Sequence, residues 1–287
     1  MESKSGNKNS NWFEEKYPEN FEGDEFASYA VKISKKLFSK KSKYQQIDVF
    51  ETSKFGNMLV LDGKIMFTEK NEFFYHEAIV HPALTIHQEP RRILVLGGGD
   101  GGTAREILKH NNIKKIEEII VCDIDEEVVA VSKKFFPNVS KGFSSKKVKI
   151  INQDGKKYLE SANEKFDIII ADLTDPVAFA QSLFAEDFYR LIKSKLNKGG
   201  IFVSQTESPM FFEEFFRKNL SALKSVFKEV NPYIAPMPDY PSGTWSYVFA
   251  SDTYRPASVE SNKISFDTKL YNFEYHKAMF ALPNYLK

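Results

Sequence analysis

Carboxylates set where strands end can hold a cation, and this 287-residue chain places an acid after nearly every apolar run of its central part. The run 93–96 leads straight into GGGDGG at 97–102, with Asp100 inside the glycine loop itself. Asp123 and Asp125 follow the run 118–122, and Asp154-Gly155 follows 148–151. Asp172 follows 166–171, and Gln205-Thr206-Glu207 follows 201–204. In an open parallel sheet, ligands bind beyond the carboxyl ends of the strands. Any one of these acids is as readily a helix N-cap, but acids all along one rim favour a site that binds cations.

The glycine loop narrows the ligand. Gly97, Gly99 and Gly102 satisfy G-x-G-x-x-G, and Asp123 lies where a ribose-binding acid is expected. An ordinary strand-to-helix turn seldom needs so many glycines. A nicotinamide dinucleotide would lay its pyrophosphate on the loop amides and helix N-terminus, where Asp100 would repel it. A cationic, phosphate-free nucleoside fits better, with its ribose hydroxyls on Asp123 and an amine near Asp100. No histidine or cysteine stands at ligand spacing beside these acids in the sequence. A metal would therefore have to be a carboxylate-bound hard cation, and none is expected.

The elements that must carry these residues follow two patterns. From about residue 28 to 68 the chain reads as strands and turns, with an Asp62-Gly63 hairpin signal between apolar runs. From residue 72 strands alternate with helical stretches at 103–110, 126–136, 156–162 and 186–196, which implies a parallel, doubly wound sheet. Further strand candidates at 229–234 and 245–250 flank a proline-rich loop. The expected division is a flexible tail at 1–11, an N-terminal β-strand and hairpin domain at 12–71, and a Rossmann-like domain at 72–287. Basic and acidic residues nearly cancel, 40 against 39, so nothing demands a nucleic acid or an anionic membrane. The basic cluster 32–43 reads as the solvated face of a strand pair. The single cysteine, Cys122, excludes an internal disulfide and reads as a buried strand residue. No apolar run is long enough to span a bilayer and no signal peptide is visible, so a cytosolic protein is expected.

Several short segments together resemble the polyamine aminopropyltransferases, most closely the spermidine synthases. They are SKYQ (42–45), FGNMLVLDG (55–63), EFFYHE (72–77) and the glycine loop with the helix after it. Asp154-Gly155, DLTDP (172–176), Gln205-Thr206, YPSG (240–243) and HKAMFALP (276–283) complete the set. The resemblance implies a methyltransferase-type Rossmann-like sheet behind a small N-terminal β domain. It also implies transfer of an aminopropyl group from decarboxylated S-adenosylmethionine to a diamine, usually putrescine. That donor is a co-substrate, and no resident cofactor is implied. Asp100 suits it, because decarboxylation leaves an amine that a carboxylate can hold, whereas intact S-adenosylmethionine would be repelled.

By the same resemblance, Asp172 is the base, helped by Tyr75 and Tyr240. With an ordinary carboxylate pKa its part would be mainly positional. Gln45, Gly97, Gly99, Asp100, Gly102, Asp123, Asp154, Gly155 and Asp172 are expected to bind the donor. Trp12, Tyr75, His76, Asp172, Asp175, Gln205 and Tyr240 are expected at the acceptor, with aromatic walls suited to a methylene chain and ammonium ends. Residues 173–184 match a loop that closes over the substrates. The Asp-Leu-Thr-Asp sequence at 172–175 departs from the usual Asp-Ser-Ser/Thr-Asp. Leucine there occurs in relatives using longer polyamines, so spermidine-type acceptors and agmatine stand beside putrescine. A methyltransferase, a non-catalytic polyamine-binding protein and an oxidoreductase are the competing classes. A homodimer is implied, with apolar strands at 58–61 and 65–67 expected to be exposed for it.

Overall fold

The computed structural model describes residues 11–18, 23–174, 185–258 and 264–287. Two compact units emerge, Met1–Lys70 and Asn71–Lys287. Residues 1–10 of the expected tail lie outside the described residues.

The first unit is a five-stranded antiparallel sheet in chain order: β1 (Trp12–Pro18), β2 (Glu25–Lys41), β3 (Gln46–Thr52), β4 (Asn57–Leu61) and β5 (Lys64–Thr68). Asp62 and Gly63 join β4 to β5, both with positive φ (47° and 79°), the pattern of a type I′ hairpin turn. The Glu15 carboxylate of β1 is buried and accepts the Ile65 N–H of β5 at 2.7 Å, so the sheet curls until its two edge strands meet. Val31, Phe50, Met58, Val60 and Ile65 fill the concave face. This corrects the expectation for 58–61 and 65–67: Met58, Val60, Ile65 and Phe67 are at most 2% exposed within the single chain, so they are core and not a free apolar face. β1 and the start of β2 precede the stretch recognised as strands from sequence.

The second unit holds a seven-stranded sheet in the order β11-β12-β10-β9-β6-β7-β8. Its strands are β6 (Arg92–Gly97), β7 (Glu118–Cys122), β8 (Val148–Ile151), β9 (Phe166–Asp172), β10 (Leu196–Gln205), β11 (Glu229–Pro236) and β12 (Thr244–Ser251). The helices are α1 (Glu72–Ile86), α2 (Gly102–Lys109), α3 (Glu126–Phe135), α4 (Pro137–Ser140), α5 (Gly155–Ser161), α6 (Glu186–Lys195), α7 (Glu213–Lys224) and α8 (Phe273–Phe280). β6 shows why the central runs are apolar throughout. Ile93 and Val95 pack under α1, α2 and α8, while Leu94 and Leu96 pack under α5, α6 and α7. Both faces are covered, so no polar alternation survives.

The expected doubly wound sheet is parallel through its centre and reversed at one edge. β12 runs antiparallel to both β10 and β11, which gives the mixed, methyltransferase-type arrangement. A hairpin-like return from β11 through the proline-rich loop forces the reversal. Helices α1, α7 and α8 were not singled out from sequence. α1 is buried nearly all round, so it lacks the amphipathic stripe that marks a surface helix. Tyr271, His276 and Met279 are buried, so the C-terminal segment packs back on the unit as expected. Among the described residues no helix is long and apolar enough to cross a membrane.

Candidate active site

Strand order places the glycine loop at the sheet's switch point. β6 lies between β7 and β9, with Leu96 opposite Cys122 and Gly97 opposite Asp172. The loop after β6 therefore meets Asp123 on one side and Asp172 on the other. Only glycine fits at Gly97: its φ is +79°, and a Cβ would lie 2.0 Å from the Asp172 carbonyl oxygen. Gly98 N–H donates to that same carbonyl at 3.1 Å, stitching the loop to the end of β9.

Three carboxylates converge here. Asp123 Oδ2 accepts the Gly99 N–H and Oδ1 the Asp125 N–H, each at 2.9 Å. Asp100 Oδ1 accepts the Gly102 N–H at 2.6 Å. Asp172 Oδ1 accepts the Tyr75 hydroxyl at 2.8 Å, and Oδ2 accepts the Thr103 hydroxyl at 2.6 Å. Burial, and after it the nearby Asp100 charge, pushes Asp172 up to about 6. Burial likewise raises Asp123 to about 6 against the pull of its two amide partners. Asp172 is thus a better base than the ordinary carboxylate expected from sequence.

His76 sits in the midst of these acids. Its Nδ1 is 2.6 Å from Glu72 Oε2, its Nε2 is 3.2 Å from Asp100 Oδ1, and its side chain is only 2% exposed. Burial opposes a charge on the ring, but Asp100 and Glu72 outweigh it and raise His76 to about 10. The ring lies against Gly102, where an added Cβ would come within 2.3 Å of it. The sequence showed no histidine at ligand spacing, yet the fold gathers His76, Asp100 and Asp172, with ligand atoms within 4.8 Å. With Tyr75 and Thr103 already bonded to Asp172, the trio can also face an organic cation.

The remaining expected residues fall into three groups. Tyr240 sits edge-on to Tyr75 with centroids 6.0 Å apart, and Trp245 backs it at 4.6 Å. Gln205 is buried, donating to the Leu173 carbonyl at 3.2 Å and accepting the Glu207 N–H at 2.9 Å. This fixes the strand end beside Asp172. Asp154 caps α5 by accepting the Lys157 N–H, and Gly155 begins that helix. Asp125 caps α3 in the same way. Trp12 and Gln45 belong to the first unit: Trp12 opens β1 and is 53% exposed, and Gln45 turns the chain from β2 into β3 through paired bonds with Ser42. Asp175 and most of the 173–184 loop lie outside the described residues.

Thr103, Glu72 and Arg105 were missed as site residues. Glu72 stands four residues before His76, a helical spacing that could have flagged the pair. Nothing local marks Thr103 or Arg105 as site residues, because the site partners they meet come from β9 and α1.

The arrangement can seat a cationic nucleoside against the glycine loop, with hydroxyls toward Asp123 and a positive group toward Asp100. It can also hold an amine beside the hydrogen-bonded carboxylate of Asp172. Comparison with known proteins agrees with this geometry. Residues 72–263 match the spermine/spermidine synthase domain, and residues 11–69 match the spermidine synthase tetramerisation domain. A polyamine aminopropyltransferase of Caldicellulosiruptor saccharolyticus is 42% identical over 260 residues, covering 90% of this chain and 92% of the relative. Another, from a Hydrogenobaculum species, is 43% identical over 253 residues, covering 88% and 89%. A spermidine synthase crystallised with the transition-state analogue AdoDATO superposes with a TM-score of 0.89 at 36% identity, covering 96% of this chain and 92% of that one. With both units matched and the carboxylate-lined glycine loop in place, the chain belongs to the spermine/spermidine synthase family of polyamine aminopropyltransferases.

Proposed function

We propose that this enzyme transfers the aminopropyl group of decarboxylated S-adenosylmethionine to putrescine, releasing spermidine and methylthioadenosine. The observation that carries this reading is Asp100 within the glycine loop and Asp172 beside it, one acid for each substrate's amine. Asp123 takes the ribose hydroxyls, and Asp154 with Gly155 the adenine. Gly97, Gly99 and Gly102 supply the close backbone. Tyr240 and Tyr75 wall the acceptor, with His76 and Gln205 near its amines.

The chemistry is a direct displacement. The acceptor ammonium gives a proton to Asp172, and its nitrogen lone pair attacks the methylene carbon beside the sulfonium. The carbon–sulfur bond breaks, its electrons return to sulfur, and neutral methylthioadenosine leaves. An alkylammonium near pKa 10.4 facing Asp172 at about 6 makes proton removal uphill by about four powers of ten. Desolvation of the ammonium, which disfavours its charged form, narrows that gap. Tyr75 and Thr103 fix both Asp172 oxygens, so positioning supplies much of the rest. The reaction needs no metal and no resident cofactor.

Self-association through residues 11–69 completes the proposal, as a homodimer or a tetramer built from one, in the cytosol. The acceptor is tested by offering the purified enzyme decarboxylated S-adenosylmethionine with putrescine, cadaverine, agmatine, spermidine or spermine in turn. Mass spectrometry of the products should show spermidine from putrescine as the fastest reaction. Product from spermidine or agmatine alone would overturn the acceptor and point to Leu173 as its determinant.

A further inference from the structure

Behind His76 stands a buried ion pair that the reaction itself does not use. Arg105 Nη1 and Nη2 grip both oxygens of Glu72 at 2.9 and 2.7 Å, and Glu72 Oε2 also reaches His76 Nδ1 at 2.6 Å. Arg105 Nε is held in turn by Glu106 at 2.8 Å, and all four side chains are at most 9% exposed. The chain of contacts thus runs Glu106–Arg105–Glu72–His76–Asp100.

Its logic follows from donor counting. Both ring nitrogens of His76 face carboxylate oxygens, and a neutral imidazole has only one N–H. Asp100 Oδ1 already accepts the Gly102 amide, which favours its carboxylate form. The arrangement is satisfied when His76 is an imidazolium that donates at both ends. A lone buried Glu72 would add another negative charge to a site already crowded with carboxylates. Paired bidentately with Arg105 it adds none, and serves only to orient and charge the ring. The Gly102 amide and the His76 ring both meet Asp100 at Oδ1.

We infer that Glu72 and Arg105 are positioning residues that act through His76: they hold it as a cation which locks Asp100 in place for the donor's aminopropyl amine. This rests on the proposed role of Asp100 and deepens it. His76 then works for the donor by way of Asp100. The charged groups that face or back the ring are Glu72 from its own helix, Arg105 from α2 behind Glu72, Asp100 from the glycine loop and Asp172 from the end of β9.

The test reads His76 directly by nitrogen-15 NMR of its ring in the full-length enzyme, with Glu72→Gln and Arg105→Lys as variants. Wild type should show both ring nitrogens protonated at pH 7, and Glu72→Gln should release one proton at a lower pH than wild type. The KM for decarboxylated S-adenosylmethionine should rise about tenfold in Glu72→Gln, the scale of one charged hydrogen bond, with the acceptor KM changed by less than about twofold. Arg105→Lys, which keeps the charge without the fork, should fall between. A neutral His76 in wild type at pH 7 would overturn the inference without any variant having to fold. An unshifted His76 titration in Glu72→Gln, or donor and acceptor KM rising together, would overturn it too. Failure of aminopropyl transfer in wild type would instead strike the proposed function, and leaves the ring spectrum readable.

Discussion

Helix α1 carries the same pair twice: Glu72 with His76, and Glu77 with His81, each four residues apart. The first pair opens on the glycine loop, where His76 bridges to Asp100. The second is sealed. His81 Nε2 lies 3.2 Å from Glu106, its Nδ1 lies 3.0 Å from His110, and Phe266 and Tyr271 flank its ring. Glu77 takes the backbone N–H groups of Lys269, Leu270 and Tyr271, fastening the C-terminal segment. Burial, with His81 beside it, pushes His110 well below its ordinary range. One spacing therefore yields a charged group at a site and a structural clasp. What decides is which element faces each turn of the helix.

If that contrast is right, changes on the first side alter rate and those on the second alter stability. Asp172→Asn, at the reacting end of the first cluster, should lower kcat by about a thousandfold in a steady-state assay with the fold intact by circular dichroism. Thr103→Val removes a hydroxyl that holds Asp172 down, so about a tenfold loss of kcat/KM is expected at neutral pH. The pH profile carries the sign. Asp172 and Asp123, both near 6, must be ionised, so wild-type kcat/KM should fall as pH drops through about 6. In Thr103→Val the part of that fall due to Asp172 should move to higher pH, because a stabiliser of the carboxylate is gone. The cationic substrates should move the fall in kcat to lower pH than that in kcat/KM.

On the second side, Glu77→Gln replaces an oxygen acceptor with an amide donor facing backbone N–H groups. It should cost about 2 kcal/mol in chemical denaturation while leaving kcat unchanged. The smallest effect belongs to Asp125→Ala, a lost cap on α3 worth about 1 kcal/mol in the same measurement.

The same contrast explains what could be read from the chain alone. Asp100 and Asp123 were legible because a strand, a glycine loop and a ribose-type acid are local in sequence and tied by fixed spacing. Asp172 was legible as an acid at a strand end and took its role only from the family resemblance. Asp125 and Asp154 each cap the helix that follows, a role that sequence left open for any single acid at a strand end. Glu72 could have been paired with His76 by its helical spacing, but Arg105 and Thr103 were not legible, because Arg105 meets Glu72 from 33 residues away and Thr103 meets Asp172 from 69. The raised pKa of Asp172 was hidden for a related reason: burial and the Asp100 charge are tertiary facts. The reversal of β12 was equally silent, since an apolar run states no direction. α1 escaped because a helix buried on every side shows no periodic stripe.

If the carboxylates at the glycine loop select a donor lacking its own carboxylate, exchanging the donor reveals it. The most direct measurement supplies putrescine with either decarboxylated or intact S-adenosylmethionine, in wild type and in Asp100→Asn, and identifies products by mass spectrometry. The expected result is spermidine and methylthioadenosine from the decarboxylated donor, no methylated amine from the intact one, and a donor KM raised about tenfold or more in Asp100→Asn. A methylated amine from intact S-adenosylmethionine, or an Asp100→Asn enzyme with unchanged donor KM, would contradict it.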